Sequence, residues 1–300
     1  MDLKKQFPIL NNKPELVYFD AAATSLKPQV VIDAVVDYYT NLSSNVFRGD
    51  YDLSIETSNR FGAVREKTAQ FLNVDHDEVI FTSGASESLN LVALGFASQV
   101  LKRNDIILVN EAEHASNVLP WFKIAEETGA IVEYLPIKDG HFDLEALEKL
   151  LKKDVKIVSM AHVSNVLGVI NDIEKISKMV HAHDAYFIVD GAQAIGHFSI
   201  DLKALDVDFY AYSAHKMFGP TGVGVLNGKQ SVLELMRPVQ YGGGSNARFN
   251  LCGEISLKDI PERFESGTPN IEGVLGYGAA LDFVREIGTQ NIHAYEHELV

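Results

Sequence analysis

Short apolar runs alternate along this 300-residue chain with longer segments in which apolar residues recur every three or four positions. Runs bounded by Gly or polar residues are typical of buried strands, and the longer segments are typical of amphipathic helices. This alternation predicts an α/β fold with a doubly wound, mostly parallel sheet. The predicted strands include 15–20, 79–81, 106–109, 131–135, 156–160, 186–190 and 223–226.

Two neighbouring predicted strands end in side chains that are candidates for catalysis or ligand binding. Strand 186–190 ends in Asp190, and the apolar run that follows leads into Ser-Ala-His-Lys at 213–216. Ligands of open α/β sheets bind outside the carboxyl ends of the strands, so Asp190 and Lys216 are expected to face one crevice.

Pyridoxal phosphate requires this pair of groups. A lysine amine forms a Schiff base with its aldehyde, and a carboxylate keeps its pyridine nitrogen protonated. The alternative is that Asp190 caps a helix and that Lys216 is a solvated surface lysine.

A second feature is typical of an anion site. Strand 79–81 runs into Gly84 and small hydroxyl residues, and a helix follows. The N–H groups and the dipole of such a helix start favour a negative ligand. The segment is no Walker loop, because no Gly-Lys-Ser/Thr follows. The alternative is that Ser86 caps the helix. His114 likewise follows the strand 106–109.

Composition limits the classes of function. The formal charge is -15, with 41 Asp+Glu against 26 Lys+Arg, which argues against nucleic-acid binding. We find no membrane-spanning apolar run and no secretory signal at the start. The single cysteine, Cys252, excludes an internal disulfide framework and favours a cytoplasmic location. His181 and His183 would face different directions on a helix, so no metal site is predicted.

The motifs together resemble the class V aminotransferase family, which are pyridoxal-phosphate enzymes of fold type I, and most closely its SUF-type cysteine desulfurases. The matching stretches are YFDAAAT (18–24), FTSGASE (81–87), the segment 113–121, HVSNVLG (162–168), VDGAQ (189–193), the segment 213–222 and RFESGTPN (263–270). The resemblance implies the three-layer α/β/α large domain of that fold, with the C-terminal small α+β domain largely absent. It implies an N-terminal segment 1–22 that packs with the small domain, a cofactor-binding large domain 23–290, and the start of the small domain at 291–300.

The resemblance also implies roles for residues around the cofactor ring. Lys216 would be the Schiff-base lysine and the general base that moves the Cα proton. Asp190 would pair with the pyridinium nitrogen, and Gln193 would bond the phenolic oxygen. His114 would stack on the ring and is a candidate for proton transfer. Asn165 would contact the substrate or a ring oxygen.

Further implied roles concern the phosphate, the substrate and a second subunit. The residues that would hold the phosphate are Ala85, Ser86, Ser213 and His215. Thr268 would reach the phosphate from a second subunit, which implies a homodimer. Arg48 lies in a loop that would approach the substrate.

The implied reaction converts L-cysteine to L-alanine and passes the sulfur, as a persulfide, to a small SUF-type acceptor protein for iron–sulfur cluster assembly. In the family, the nucleophilic cysteine and the arginine that binds the substrate carboxylate lie in the small domain, beyond Val300. Cys252 occupies a position that the family does not use for catalysis, and we interpret it as a bystander thiol in a hairpin loop.

Two further departures from the family pattern are expected to alter the mouth of the substrate site. Phe47 stands where the desulfurases usually carry His, and Ala115 stands where a second His often follows His114. The alternatives within this family are a selenocysteine lyase, a cysteine-independent lyase or epimerase, and a non-catalytic homologue without the nucleophilic cysteine.

Overall fold

The structure, a computed structural model, describes residues 3–299. Its strands are β1 Val79–Thr82, β2 Ile106–Asn110, β3 Ile131–Leu135, β4 Ile137–Lys138, β5 His141–Phe142, β6 Val155–Ala161, β7 Tyr186–Asp190, β8 Phe209–Ser213, β9 Gly224–Gly228, β10 Asn246–Phe249 and β11 Ile255–Leu257. Its α-helices are α1 Pro8–Asn12, α2 Gln29–Asp37, α3 Asp52–Leu72, α4 Ala85–Leu91, α5 Ser98–Val100, α6 Leu119–Thr128, α7 Leu144–Leu150, α8 Ile173–His181, α9 Leu202–Leu205, α10 Gln230–Leu235, α11 Ile271–Ile287 and α12 Thr289–Leu299. The predicted segments 1–22 and 291–300 include residues 1, 2 and 300, which lie outside the described residues.

The central sheet is doubly wound and mostly parallel, as predicted. Within residues 3–299 it contains seven strands in the order β1-β9-β8-β7-β6-β2-β3. Strand β9 runs antiparallel to both of its neighbours, β1 and β8, and the other neighbouring pairs are parallel. After β3 the chain crosses back past β2 and then adds β6, β7, β8 and β9 one after another toward β1, with only β9 antiparallel to the strand before it. Strands β6, β7 and β8 therefore lie side by side at its centre with their carboxyl ends at one edge.

Helices cover both faces of this sheet, which confirms the three-layer α/β/α architecture. Side chains alternate between the faces along each strand. Phe187 and Val189 join an apolar cluster with residues of α3, α8 and α11, whereas Ile188 joins a second cluster with residues of α4, α6 and α10. Parallel strands buried on both faces read as continuous apolar runs, which is why the sequence identifies them so directly.

The predicted strand at 15–20 is wrong. Residues 16–20 have no regular secondary structure, and the side chains of Val17 and Phe19 are 72% and 95% exposed. Local bonds fold this segment into a turn, because the Tyr18 hydroxyl donates to the carbonyl of Thr24 at 2.6 Å and the Ala23 N–H donates to that of Asp20 at 3.1 Å. An apolar run predicts a strand only where another strand is available to pair with it.

No helix among the described residues is long and apolar enough to cross a membrane.

A largely buried ion pair fixes the segment that precedes α11. Arg65 of α3 donates two hydrogen bonds to the carboxylate of Glu265, at 2.8 and 2.7 Å. The same carboxylate accepts the N–H of Phe81 in β1 at 2.7 Å. The two side chains are only 9% and 12% exposed, so the pair joins the edge of the sheet to residues 263–270 in a low-dielectric environment.

We expect Glu265→Leu to lower the free energy of unfolding by about 3–5 kcal/mol, because it leaves the Arg65 guanidinium buried without its counter-ion. The double variant Arg65→Met/Glu265→Leu should recover most of this loss, since it leaves no unpaired charge. Urea unfolding of the three proteins tests the expectation. A double variant no more stable than Glu265→Leu would show that the charge is not the cause.

Candidate functional site

A cavity of about 430 Å³ lies at the carboxyl ends of the central strands. The last residues of β6, β7 and β8, which are Ala161, Asp190 and Ser213, all line it. The sheet places them together because these three parallel strands are neighbours and end at the same edge. This is where ligands bind in open α/β sheets.

The cavity brings together nine of the ten residues predicted to bind a cofactor. These nine are Ala85, Ser86, His114, Asn165, Asp190, Gln193, Ser213, His215 and Lys216. Arg48 and Thr268 are not among its lining residues. Arg48 lines a separate cavity of about 200 Å³, and the Thr268 hydroxyl beside that cavity accepts a hydrogen bond from Asn45 at 3.3 Å.

Asp190 is a buried carboxyl that supports the start of a turn. Its side chain accepts the N–H of Ala192 at 3.0 Å, and residues 192–197 form turns, so Asp190 caps no helix. Burial raises the pKa of Asp190, and the positive charges of Lys216 and His114 act in the opposite direction. A cationic partner in the cavity therefore favours the carboxylate.

Lys216 is half-buried and faces the same cavity. Burial lowers the pKa of its amine, and the nearby Asp190 partly opposes that shift. The alternative of a solvated surface lysine is therefore wrong. A lowered pKa enlarges the fraction of neutral, nucleophilic amine at neutral pH.

The start of α4 forms one wall of the cavity. Gly84 is its N-cap and provides no side chain, so Ser86 is not a cap; its hydroxyl lies 2.7 Å from that of Ser116 instead. The Ala85 N–H, which we expected to face an anion, already donates to Ser213 Oγ at 2.8 Å. A Cβ at Gly224 would lie 2.4 Å from Gly84 Cα, so the backbones of β9 and this wall touch directly.

His114 is held by the turn that follows it. Its Nδ1 accepts the Ser116 N–H at 3.1 Å and lies 3.0 Å from the Ser116 hydroxyl. A nitrogen that accepts an N–H carries no hydrogen, so the neutral ring is assigned the tautomer with its hydrogen on Nε2. Ser116 thus links His114 to Ser86, a connection that the sequence does not reveal.

Glu113 is a half-buried glutamate that we did not single out from the sequence. It accepts the side-chain amide of Asn117 at 2.7 Å and the N–H of Ala161 at 2.9 Å. Burial raises the pKa of Glu113 to about 8, and these hydrogen bonds oppose that shift. Its contacts tie the turn that carries His114 to the end of β6. The position next to His114 was a possible signal, but the contact with β6 depends on the fold.

His162 and Tyr210 support the turn at Asp190 from behind. His162 Nδ1 lies 3.0 Å from the Tyr210 hydroxyl, and the His162 N–H donates to the Asp190 carbonyl at 2.9 Å. A Cβ on Gly191 would lie 2.0 Å from the Tyr210 ring, so only glycine fits between Asp190 and Tyr210. Burial lowers the pKa of His162 to about 4, which keeps the imidazole neutral.

The lining of the cavity fits pyridoxal phosphate. A buried carboxyl and a half-buried lysine are the groups that its ring nitrogen and aldehyde require. At the wall where a phosphate would bind, His215 Nδ1 is buried and has no hydrogen-bond partner among the described residues. An unpaired buried nitrogen is costly, and a ligand oxygen would satisfy it. Fold and cavity together define the class of pyridoxal-phosphate enzymes of fold type I.

Comparison with known proteins agrees with this class. The model of the class V aminotransferase family matches residues 17–300, and the chain belongs to this family. A probable cysteine desulfurase from Halalkalibacterium halodurans is 44% identical over 99% of this chain and 74% of its own length.

Solved structures give the same result. The apo cysteine desulfurase of Thermococcus onnurineus NA1 has a TM-score of 0.95 and 40% identity, and the match covers 99% of this chain and 74% of that one. The cysteine desulfurase CsdA of Escherichia coli has a TM-score of 0.89 and 37% identity, over 96% and 72% of the two chains. The predicted fold, family and pyridoxal-phosphate cofactor are confirmed.

The neutral state of His162 predicts a pH dependence of stability. Its pKa is about 4 in the folded protein against an ordinary value of 6.5, so below pH 6.5 the unfolded chain binds a proton that the folded chain does not. Stability should therefore fall between pH 6.5 and about 4, by on the order of 3 kcal/mol from this group. Urea unfolding of wild type and His162→Gln across this range isolates the effect. The idea fails if the stability difference between the two proteins is independent of pH.

Proposed function

We propose that this chain is a SUF-type cysteine desulfurase that converts L-cysteine to L-alanine and transfers the sulfur, as a persulfide, to a small acceptor protein for iron–sulfur cluster assembly. The observation that carries this proposal is the placement of Lys216 and Asp190 in one cavity of a chain whose relatives are named cysteine desulfurases. The single cysteine supports a cytoplasmic location.

The residues of the cavity divide the work at the cofactor ring. Bound pyridoxal phosphate supplies an electron sink for the charge that develops at the substrate Cα. Lys216 would hold the cofactor aldehyde, and its amine would then take the Cα proton and return it. Asp190 would keep the ring nitrogen protonated, and Gln193 would bond the phenolic oxygen. His114 would stack on the ring, while Asn165 contacts the substrate or a ring oxygen.

The wall at the start of α4 would hold the phosphate. Ser86 offers its hydroxyl, and His215 offers its unpaired Nδ1. Because the Ala85 N–H donates to Ser213 Oγ, those two residues would bind the phosphate only through a rearranged bond or through the Ser213 hydroxyl hydrogen.

A second copy of the chain would complete the site. Arg48 and Thr268 lie at or beside a different cavity from Lys216, and one chain does not bring them together. We infer that the protein is a homodimer, in which Arg48 and Thr268 of one subunit face the cofactor cavity of the other. Thr268 would bind the phosphate there, and Arg48 would lie near the substrate. Apolar side chains are exposed near Arg48 and in the β10–β11 hairpin, where Phe47 is 55% and Phe249 73% exposed. Contact with a second subunit would bury them, which supports the homodimer.

The sulfur step needs a thiolate. The thiolate forms an S–S bond with the substrate sulfur as the substrate C–S bond breaks, and the carbon takes a proton to give alanine. Cys252 is exposed in the β10–β11 turn and lines neither cavity, so we propose that it is a bystander. The nucleophilic thiol would then come from outside this chain, since the match covers only 74% of the length of the Halalkalibacterium halodurans relative.

Absorption spectroscopy tests the assignment of Lys216. Wild type mixed with pyridoxal phosphate should show a Schiff-base band in the near-visible region, and Lys216→Ala should lack it. The exposed Lys152→Ala is the matched control and should keep the band. In the full-length gene product, Lys216→Ala should lower alanine formation from L-cysteine by at least about a hundredfold, because it removes the base.

Product analysis then separates the alternatives. Alanine and persulfide from L-cysteine support a desulfurase, whereas a preference for selenocysteine, or products formed without any thiol, would point to another class V enzyme. A band that persists in Lys216→Ala would refute the assigned role of Lys216.

A further inference from the structure

Residues 20–27, which we call the strap, cross the segment that carries Lys216. The carbonyl of His215, the residue immediately before Lys216, accepts hydrogen bonds from four donors of the strap. These donors are Ser25 N at 3.0 Å, Ser25 Oγ at 2.9 Å, Lys27 Nζ at 3.0 Å and Thr24 Oγ1 at 3.2 Å. A carbonyl oxygen has two lone pairs, so four donors on one oxygen form an unusually dense contact.

The strap also holds the other side of Lys216. The Phe218 N–H donates to Ser25 Oγ at 2.7 Å, so one hydroxyl bonds the backbone on both sides of the lysine. Phe218 has a φ of 66°, in the left-handed region that bulky residues rarely adopt. This conformation is costly unless the surroundings fix it, and the bond to Ser25 is one such constraint.

The strap reaches the cavity wall as well. Ala22 and Ala23 line the cavity, and the Ala22 carbonyl accepts the side-chain amide of Gln193 at 2.9 Å. The strap therefore contacts both the Lys216 segment and the lining of the cavity.

Lys27 makes the one charged contact in this cluster. Its half-buried ammonium donates to Thr24 Oγ1 at 3.3 Å and to the carbonyls of Ser25 and His215. No ion pair within residues 3–299 involves it. Burial lowers the pKa of its amine to about 8. Neutral oxygens alone offset the cost of removing the Lys27 ammonium from water, so the ammonium is held where these oxygens converge. Hydrogen bonds from a charged donor are stronger than those between neutral groups.

We propose that Lys27 is a positioning residue for Lys216: it holds the strap on the His215 carbonyl and so fixes the backbone from which Lys216 enters the cavity. The functional half of this proposal, that Lys27 positions Lys216 for the cofactor, rests on the role of Lys216 proposed above. The mechanical half, that Lys27 holds the strap on the His215 carbonyl, concerns the chain alone.

Hydrogen exchange of the apoprotein tests the mechanical half. In Lys27→Met, the amides of Ser25 and Phe218 should exchange about tenfold faster than in wild type, because the strongest bond of the cluster is lost. Lys27→Arg retains a cationic donor and should stay within about threefold of wild type. Lys13→Met removes an exposed lysine of the same N-terminal region and should change nothing. The amide of Ile188, in the middle of β7, reports on the whole fold and should also be unchanged.

Release of pyridoxal phosphate from the loaded proteins tests the functional half. We expect release from Lys27→Met to be about tenfold faster than from wild type, with Lys27→Arg close to wild type. Unchanged exchange at Ser25 and Phe218, or an equal acceleration at Ile188, would overturn the strap contact. Faster exchange with unchanged release would overturn the positioning of Lys216. A wild type that binds no pyridoxal phosphate would refute the proposed function instead, while the exchange result would still decide the contact.

Discussion

The carboxyl of Asp190 is the constraint on which the site depends. A buried carboxyl resists ionisation, and burial raises the pKa of this one. The hydrogen bond from the Ala192 N–H and the positive charges of Lys216 and His114 favour its carboxylate in part. A ring nitrogen that carries a proton would complete this compensation. The same burial lowers the pKa of the Lys216 amine, so it favours the neutral, nucleophilic amine while it opposes ionisation of Asp190.

The surrounding structure serves to keep these two groups fixed. Behind Asp190, Gly191 allows the Tyr210 ring to approach, and His162 bonds the Tyr210 hydroxyl. Around Lys216, four donors converge on the preceding carbonyl. His162 and residues 24–27 are far from Asp190 and Lys216 in sequence, so tertiary contacts help to set the positions of the two functional groups. Such supporting contacts preorganise a site before a ligand arrives.

Sequence patterns revealed the sheet and the edge that holds the site. Buried parallel strands are continuous apolar runs, and their last residues meet at one edge, so Asp190 and Lys216 could be paired from the sequence alone. The pattern failed at 15–20, where the apolar run pairs with no strand and residues 16–20 have no regular secondary structure. It also could not show that the Ala85 N–H is already bonded to Ser213, because the two residues are 128 positions apart. Glu113, Ser116, Lys27 and His162 were missed for the same reason, since their importance comes from partners that only the fold brings near.

The role we propose for the Asp190 carboxylate is to keep the cofactor ring nitrogen protonated. Nitrogen NMR of the wild-type protein loaded with pyridoxal phosphate, labelled with ¹⁵N in the ring, measures this directly at neutral pH. We expect the chemical shift of a protonated pyridine nitrogen in wild type and that of a neutral nitrogen in Asp190→Ala. A neutral nitrogen in wild type, or a protonated one in both proteins, would contradict the account.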